Sequence, residues 1–298
     1  MKFDEDRIKL ICDWLIKNKS HYDCNFYKMW LAIEILRVII GNEWTNQAVL
    51  PNIHPTKSKA TRSAIDFLRT DKLGFQFQER VYRLAQRLYD IQDITGLEKV
   101  IRGITSGDIY GGYAEIEAGS FLKRRNITFE FVIPSGKKGY DFDIKITSDP
   151  AINCEVKHKI ESTLPSKEVL EITLTSANKQ VPDSKPALFF IKIPEGWINS
   201  SDLKSVVKRT KGTFFPRNEN VLGFVLHWEE RDKINDGIFY WKYRYEENPF
   251  CSINIEEVNN KLKMSVGLED TITSLMKKYI KKCQNYPSIT RKSLLKRF

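Results

Sequence analysis

The spacing of apolar residues changes character along the chain. From the start to about residue 105 it follows a helical period. Ile8, Ile11, Cys12 and Leu15 fall at helical spacing, and Val81, Leu84, Ala85 and Leu88 share one face of the segment 79–88. The run from Phe26 to Ile40 is apolar almost all round, which predicts a buried helix. Thr61 to Leu68 continues the helical pattern, and Pro51-Asn52-Ile53-His54-Pro55 predicts a loop.

From about 106 to 246, helical and alternating segments take turns. The segment 113–125 predicts a helix with Ala114, Ala118, Phe121 and Leu122 along one side. Ile127, Phe129, Phe131 and Ile133 then alternate with Thr128, Glu130 and Val132, the period of a strand. A turn is expected at Ser135-Gly136-Lys137-Lys138-Gly139, after which Tyr140, Phe142, Ile144 and Ile146 alternate again. Ile152 to Val156 predicts a third strand. A helix over 166–181 with Leu170, Leu174, Ala177 and Val181 aligned is stopped by Pro182. Strands are expected over 188–193, 221–228 and 238–245. This order predicts an α/β fold, a mixed sheet flanked by helices, after an α-helical N-terminal region. The chain divides into 1–105, 106–246 and a C-terminal extension, 247–298. From Lys277 to Phe298 that extension carries eight Lys or Arg and no acid.

Composition narrows the function classes. The 298 residues carry 48 Lys and Arg against 38 Asp and Glu, a net charge of +10. A basic chain is drawn to polyanions, nucleic acid among them. No stretch approaches the roughly 20 apolar residues of a membrane helix, so no membrane partner is expected. The acidic opening Met1-Lys2-Phe3-Asp4-Glu5-Asp6 lacks a following apolar run, which argues against a signal peptide and for a cytoplasmic protein. Five scattered cysteines without a CxxC pair predict free thiols and no zinc ribbon. The chain has no GxxxxGK(S/T), HExxH or GxSxG. ATP hydrolysis of the phosphate-loop kind, zincin chemistry and the hydrolase elbow are therefore not expected.

The chemistry-bearing residues sit in the second and third predicted strands. Alternate side chains of a strand share a face, so Asp141 and Asp143 are expected on one side, and Glu155 and Lys157 on one side. If the strands are neighbours, Asp141, Glu155 and Lys157 converge at one end of the sheet. Clustered carboxylates suit a hard divalent cation, and a neighbouring Lys suits a phosphate or an attacking water. The (Asp/Glu)-x-Lys pattern occurs four times, at Asp143, Glu155, Asp183 and Asp202. Only the Glu155 copy has a helix, two strands and an acid before it and a helix and strand after it.

Gly139-Tyr140-Asp141-Phe142-Asp143 followed by Cys154-Glu155-Val156-Lys157 resembles the PD-(D/E)XK nuclease superfamily, the restriction-endonuclease-like fold. The likeness covers about residues 110–195, and Tyr140 stands where the name-giving Pro would be. The resemblance implies a Mg²⁺-dependent (or Mn²⁺-dependent) endonuclease acting on DNA, of the restriction or defence kind. It implies Asp141 and Glu155 as metal ligands, Glu115 as an auxiliary ligand with Glu117 as the neighbouring alternative, and Lys157 as the catalytic lysine. Lys179 and Gln180 at the end of the following helix, and Lys159 after the motif, are expected to contact nucleic acid. The N-terminal helices are expected to serve recognition or dimerisation, with a homodimer and a companion defence or modification protein as partners. Two other readings stand beside it: a non-catalytic nucleic-acid-binding or interaction module on the same fold, and a structure-specific, resolvase-like nuclease.

Overall fold

The computed structural model describes residues 3–50, 58–68, 75–133, 136, 140–159, 164–198, 200–231, 239–253, 255–265 and 271–285. The expected loop around Pro51, most of the turn at 135–139 and the last four basic residues of the tail lie outside them. The chain forms two compact units, one of residues 1–93, 103–109 and 265–298, the other of residues 94–102 and 110–264. This partition differs from the linear one: a short stretch after residue 93 joins the sheet unit, and the chain end returns to the first unit.

The first unit is helical, as the apolar period predicts. Its helices include α1 (Glu5–Asn18), α2 (Cys24–Ile39), α3 (Asn42–Val49), α4 (Lys59–Leu68) and α5 (Phe75–Ile91). Asp4 and Asp23 cap α1 and α2, their carboxylates accepting from the Arg7 and Phe26 amides at 3.0 and 2.9 Å. Tyr27, Leu31, Ile35 and Leu36 of α2 are fully buried or nearly so, as are Val81, Leu84, Ala85 and Leu88 of α5. One expectation is corrected here. Cys24 and Cys283 form a disulfide across 259 residues of sequence, while Cys12, Cys154 and Cys251 are free thiols. The segment 281–283 is brought to the start of α2, where the Lys282 ammonium donates to the Ser20 and Tyr22 carbonyls at 2.6 Å each. Spacing along the chain carries no sign of that meeting.

Helix α6 (Leu97–Ser106) is divided between the two units, and α7 (Ile109–Arg124) belongs to the second from Tyr110 on. The second unit holds a six-stranded mixed sheet of β1 (Phe129–Phe131), β2 (Ile144–Ile146), β3 (Ile152–His158), β4 (Ala187–Lys192), β5 (Val221–Arg231) and β6 (Phe239–Glu247). Strand order follows sequence order. The β1–β2, β2–β3 and β5–β6 pairs are antiparallel, and β3–β4 and β4–β5 are parallel. The parallel pairs need crossovers. These contain α8 (Lys167–Asn178), then α9 (Glu195–Ile198) and α10 (Leu203–Phe214). Two further helices, α11 (Glu256–Lys263) and α12 (Thr271–Tyr279), follow the sheet.

One sheet face packs Phe189, Ile191, Phe224 and Leu226 against Leu170 and Leu174 of α8 and Val206, Val207 and Phe214 of α10. The other lies on α7, where the Phe121 ring meets Phe190 edge-on at 5.5 Å and Tyr243 at 5.0 Å. Close approach of α7 to β1 requires Gly119, since a Cβ there would lie 2.7 Å from Phe131 Cζ. Among the described residues no helix is long and apolar enough to cross a membrane.

Candidate metal-dependent site

The regular part of β2 is shorter than its alternation predicts, and this decides which acid reaches the sheet. Pairing with β3 begins at Ile144, opposite Cys154. Asp143 lies at a bend just before it, and Phe142 is buried with Phe189 and Ile191 rather than on the face of Ile144. The period-two face sharing expected of Tyr140, Phe142, Ile144 and Ile146, and of Asp141 with Asp143, therefore stops at residue 143. Asp141 turns to the preceding loop, where its Oδ1 accepts from the Gly136 amide at 3.1 Å. Asp143 is the acid beside the third strand: its amide donates to the Cys154 carbonyl at 3.0 Å, and its Oδ2 accepts from the Val156 amide at 2.9 Å.

Glu155 and Lys157 share the β3 face that continues into Phe189 and Ile191 of β4, their register partners. The Lys157 ammonium lies 2.7 Å from Glu155 Oε1 and also donates to the Gln180 side-chain oxygen just past α8. Glu155 is 3% exposed, and its Oε2 is buried without a hydrogen-bond partner. Burial first, and the Asp143 carboxylate second, push its pKa up to about 8 against the pull of Lys157. Lys179 is exposed at the C-cap of α8, and the Lys159 amide extends the ladder to the Lys192 carbonyl at 3.0 Å.

Glu115 and Glu117 lie two residues apart on α7 and so point in different directions. Glu115 reaches the site: its Oε2 is 2.7 Å from the Lys99 ammonium, which is also 3.0 Å from Asp143 Oδ1. Burial alone would lower the Lys99 pKa, but Asp143 and Glu115 outweigh it and hold the ammonium above its ordinary value. Glu117 is 0% exposed under the sheet, with its Oε2 at 2.7 Å from Lys192 Nζ and 3.4 Å from His227 Nδ1. His158, Lys192 and His227 form one lateral row across β3, β4 and β5. Burial, then the Lys192 charge, lowers the His158 pKa to about 4, leaving it neutral near pH 7. The Lys192 ammonium also lies 4.4 Å from the centre of the Tyr113 ring of α7. Through Glu117 and Tyr113 this row ties α7 to the sheet.

Of the sequence-expected residues, Glu115, Glu155, Lys157 and Gln180 are brought into one neighbourhood, and Asp141 is not. Asp143 and Lys99 complete the neighbourhood. Asp143 was legible as an acid in an (Asp/Glu)-x-Lys copy. Lys99 sits in Leu97-Glu98-Lys99-Val100, which reads as an ordinary amphipathic helix. The donor set of Glu115, Asp143 and Glu155 suits a hard cation, and the orphaned buried Glu155 Oε2 is an oxygen such a cation would satisfy. Among the described residues no three Asp, Glu, His or Cys side chains are already gathered for an ion; the Lys99 ammonium stands between two of these acids.

The raised Glu155 pKa predicts a pH dependence of stability. A glutamate in the unfolded chain ionises near about 4.3. Between there and about 8 the native state holds a proton that the unfolded state has lost. Without a bound cation, the unfolding free energy therefore falls as pH rises across this window, by on the order of a few kcal/mol, and levels off above it. Thermal melts from pH 5 to 9 in the presence of a chelator should show that decline, and Glu155→Gln should flatten it. An equal slope in both proteins would sink the assignment.

The chain matches no protein-family model, no curated protein and no solved structure.

Proposed function

We propose that the sheet unit is a metal-dependent phosphodiesterase of the restriction-endonuclease-like kind, an endonuclease cutting DNA. The observation that carries this reading is the juxtaposition of Asp143, beside β3, with Glu155 and Lys157 of β3 and with Glu115 of α7 through their shared ammonium. Glu115, Asp143 and Glu155 would hold Mg²⁺ or Mn²⁺. The ion would neutralise charge on a phosphate and lower the pKa of a bound water. Lys157, steadied by Gln180, would hold the phosphate or orient the attacking water. Lys159 and the exposed Lys179 extend positive charge beside it, as backbone binding requires, so binding should weaken steeply with salt.

The test is cleavage of supercoiled plasmid by the full chain. Nicking or linearisation is expected with Mg²⁺ or Mn²⁺ and absent with chelator. Lys157→Met should lower the rate by about a hundredfold with unchanged folding. Salt-sensitive DNA binding without cleavage under any divalent ion would favour a binding module instead.

A further inference from the structure

Lys99 is the one member of the cluster that resembles neither a metal ligand nor a phosphate contact. Its side chain is 15% exposed, and those of Glu115 and Asp143 are 12% and 16% exposed, so the three charges meet largely out of water. The placement is built into the backbone. The Phe131 amide at the end of β1 donates to the Thr95 carbonyl at 2.9 Å, and the Lys99 amide donates to the Gly96 carbonyl at 3.0 Å. Gly96 has φ +82°, and a Cβ there would sit 2.0 Å from the Phe131 carbonyl oxygen. The first turn of α6 is thus pressed onto the end of β1, which delivers the ammonium to the two acids.

Resting on the reading of a metal-dependent site, we propose that Lys99 is the resident counter-ion of the Glu115–Asp143 pair and competes with the divalent cation for these carboxylates. The Lys99 ammonium already answers part of the charge of the Glu115 and Asp143 carboxylates, so a further divalent ion alone gains little. A phosphodiester brings the missing negative charge. The site accordingly binds metal weakly by itself and more tightly together with the phosphate backbone. Lys99 is a positioning residue in this scheme: it keeps two half-buried acids from repelling one another until metal and substrate arrive, and its flexible stem lets the ammonium leave.

The experiment is Mn²⁺ binding to the full chain without nucleic acid, followed by electron paramagnetic resonance of free Mn²⁺. Lys99→Met should bind Mn²⁺ at least about tenfold more tightly than the native chain, because a competing charge at hydrogen-bonding distance is gone. Lys99→Arg should stay near native. Adding Asp143→Asn to Lys99→Met should abolish the gain. If Lys99→Met does not fold, Lys99→Gln carries the same comparison. Unchanged or weaker binding in the Lys99 variant, with binding still lost in Asp143→Asn, overturns the competition while leaving the metal site standing. Binding indifferent to Asp143→Asn in every background overturns both.

Discussion

Asp143→Asn should reduce metal-dependent cleavage by about a thousandfold, whereas Asp141→Asn stays within a few-fold of the native chain. The scale is that of losing one strong, preorganised electrostatic contact in a transition state. The contrast follows from the bend before Ile144. Two acids two residues apart would be equivalent on an unbroken strand, but Asp141 faces the Gly136 amide and Asp143 the Val156 amide and the Lys99 ammonium. Asn at 143 keeps an oxygen for the Val156 amide, so the fold should survive and melting should confirm it. Rates on plasmid DNA at saturating Mg²⁺ decide the matter. A severe loss in Asp141→Asn with a mild one in Asp143→Asn would mean that the working acid is carried by the loop.

Lys192→Met should destabilise the protein by about 3–5 kcal/mol, the scale for stranding one member of a buried ion pair. Glu117 has no exposure through which water could replace the lost ammonium, and His227 beside it is buried as well. Urea unfolding should record the loss. The double variant Lys192→Met with Glu117→Leu should recover most of it, because removing both charges removes the desolvation penalty they share. The folded double variant should still cleave DNA, since Glu115 rather than Glu117 meets Lys99 and Asp143. A loss below about 1 kcal/mol for Lys192→Met would show that the pair is hydrated and not a fastening.

Much of the architecture was legible because each element carries its own period. Helices α1, α2, α4 and α5, the succession of strands along the chain and the helix before β4 all follow from apolar spacing. The site was legible where it depends on one strand: Glu155 and Lys157 are two apart on β3 and share its face. It was not legible where the backbone departs from its period. The alternation through Tyr140, Phe142 and Ile144 is real in sequence, yet the chain bends at Asp143 and sends Phe142 into the core under α8. Choosing Glu115 over Glu117 required knowing that Lys192 and His227 lie across from the latter. Lys99 comes from a helix outside the region of resemblance, and the Cys24–Cys283 bond joins segments far apart in sequence; local pattern records neither.

The plain sequential order of the sheet bears on how the protein is made. Lys99, Glu115, Asp143, Glu155, Lys157 and Gln180 all precede β4, and each strand is hydrogen-bonded to the one before it. Chains leave the ribosome from the N-terminus, and contacts between sequence neighbours close with little entropy loss. Every charged group of the site is therefore synthesised before the last three strands exist. Each later strand adds at the growing edge without threading between strands already paired, so the sheet can be laid down in the order in which it is translated.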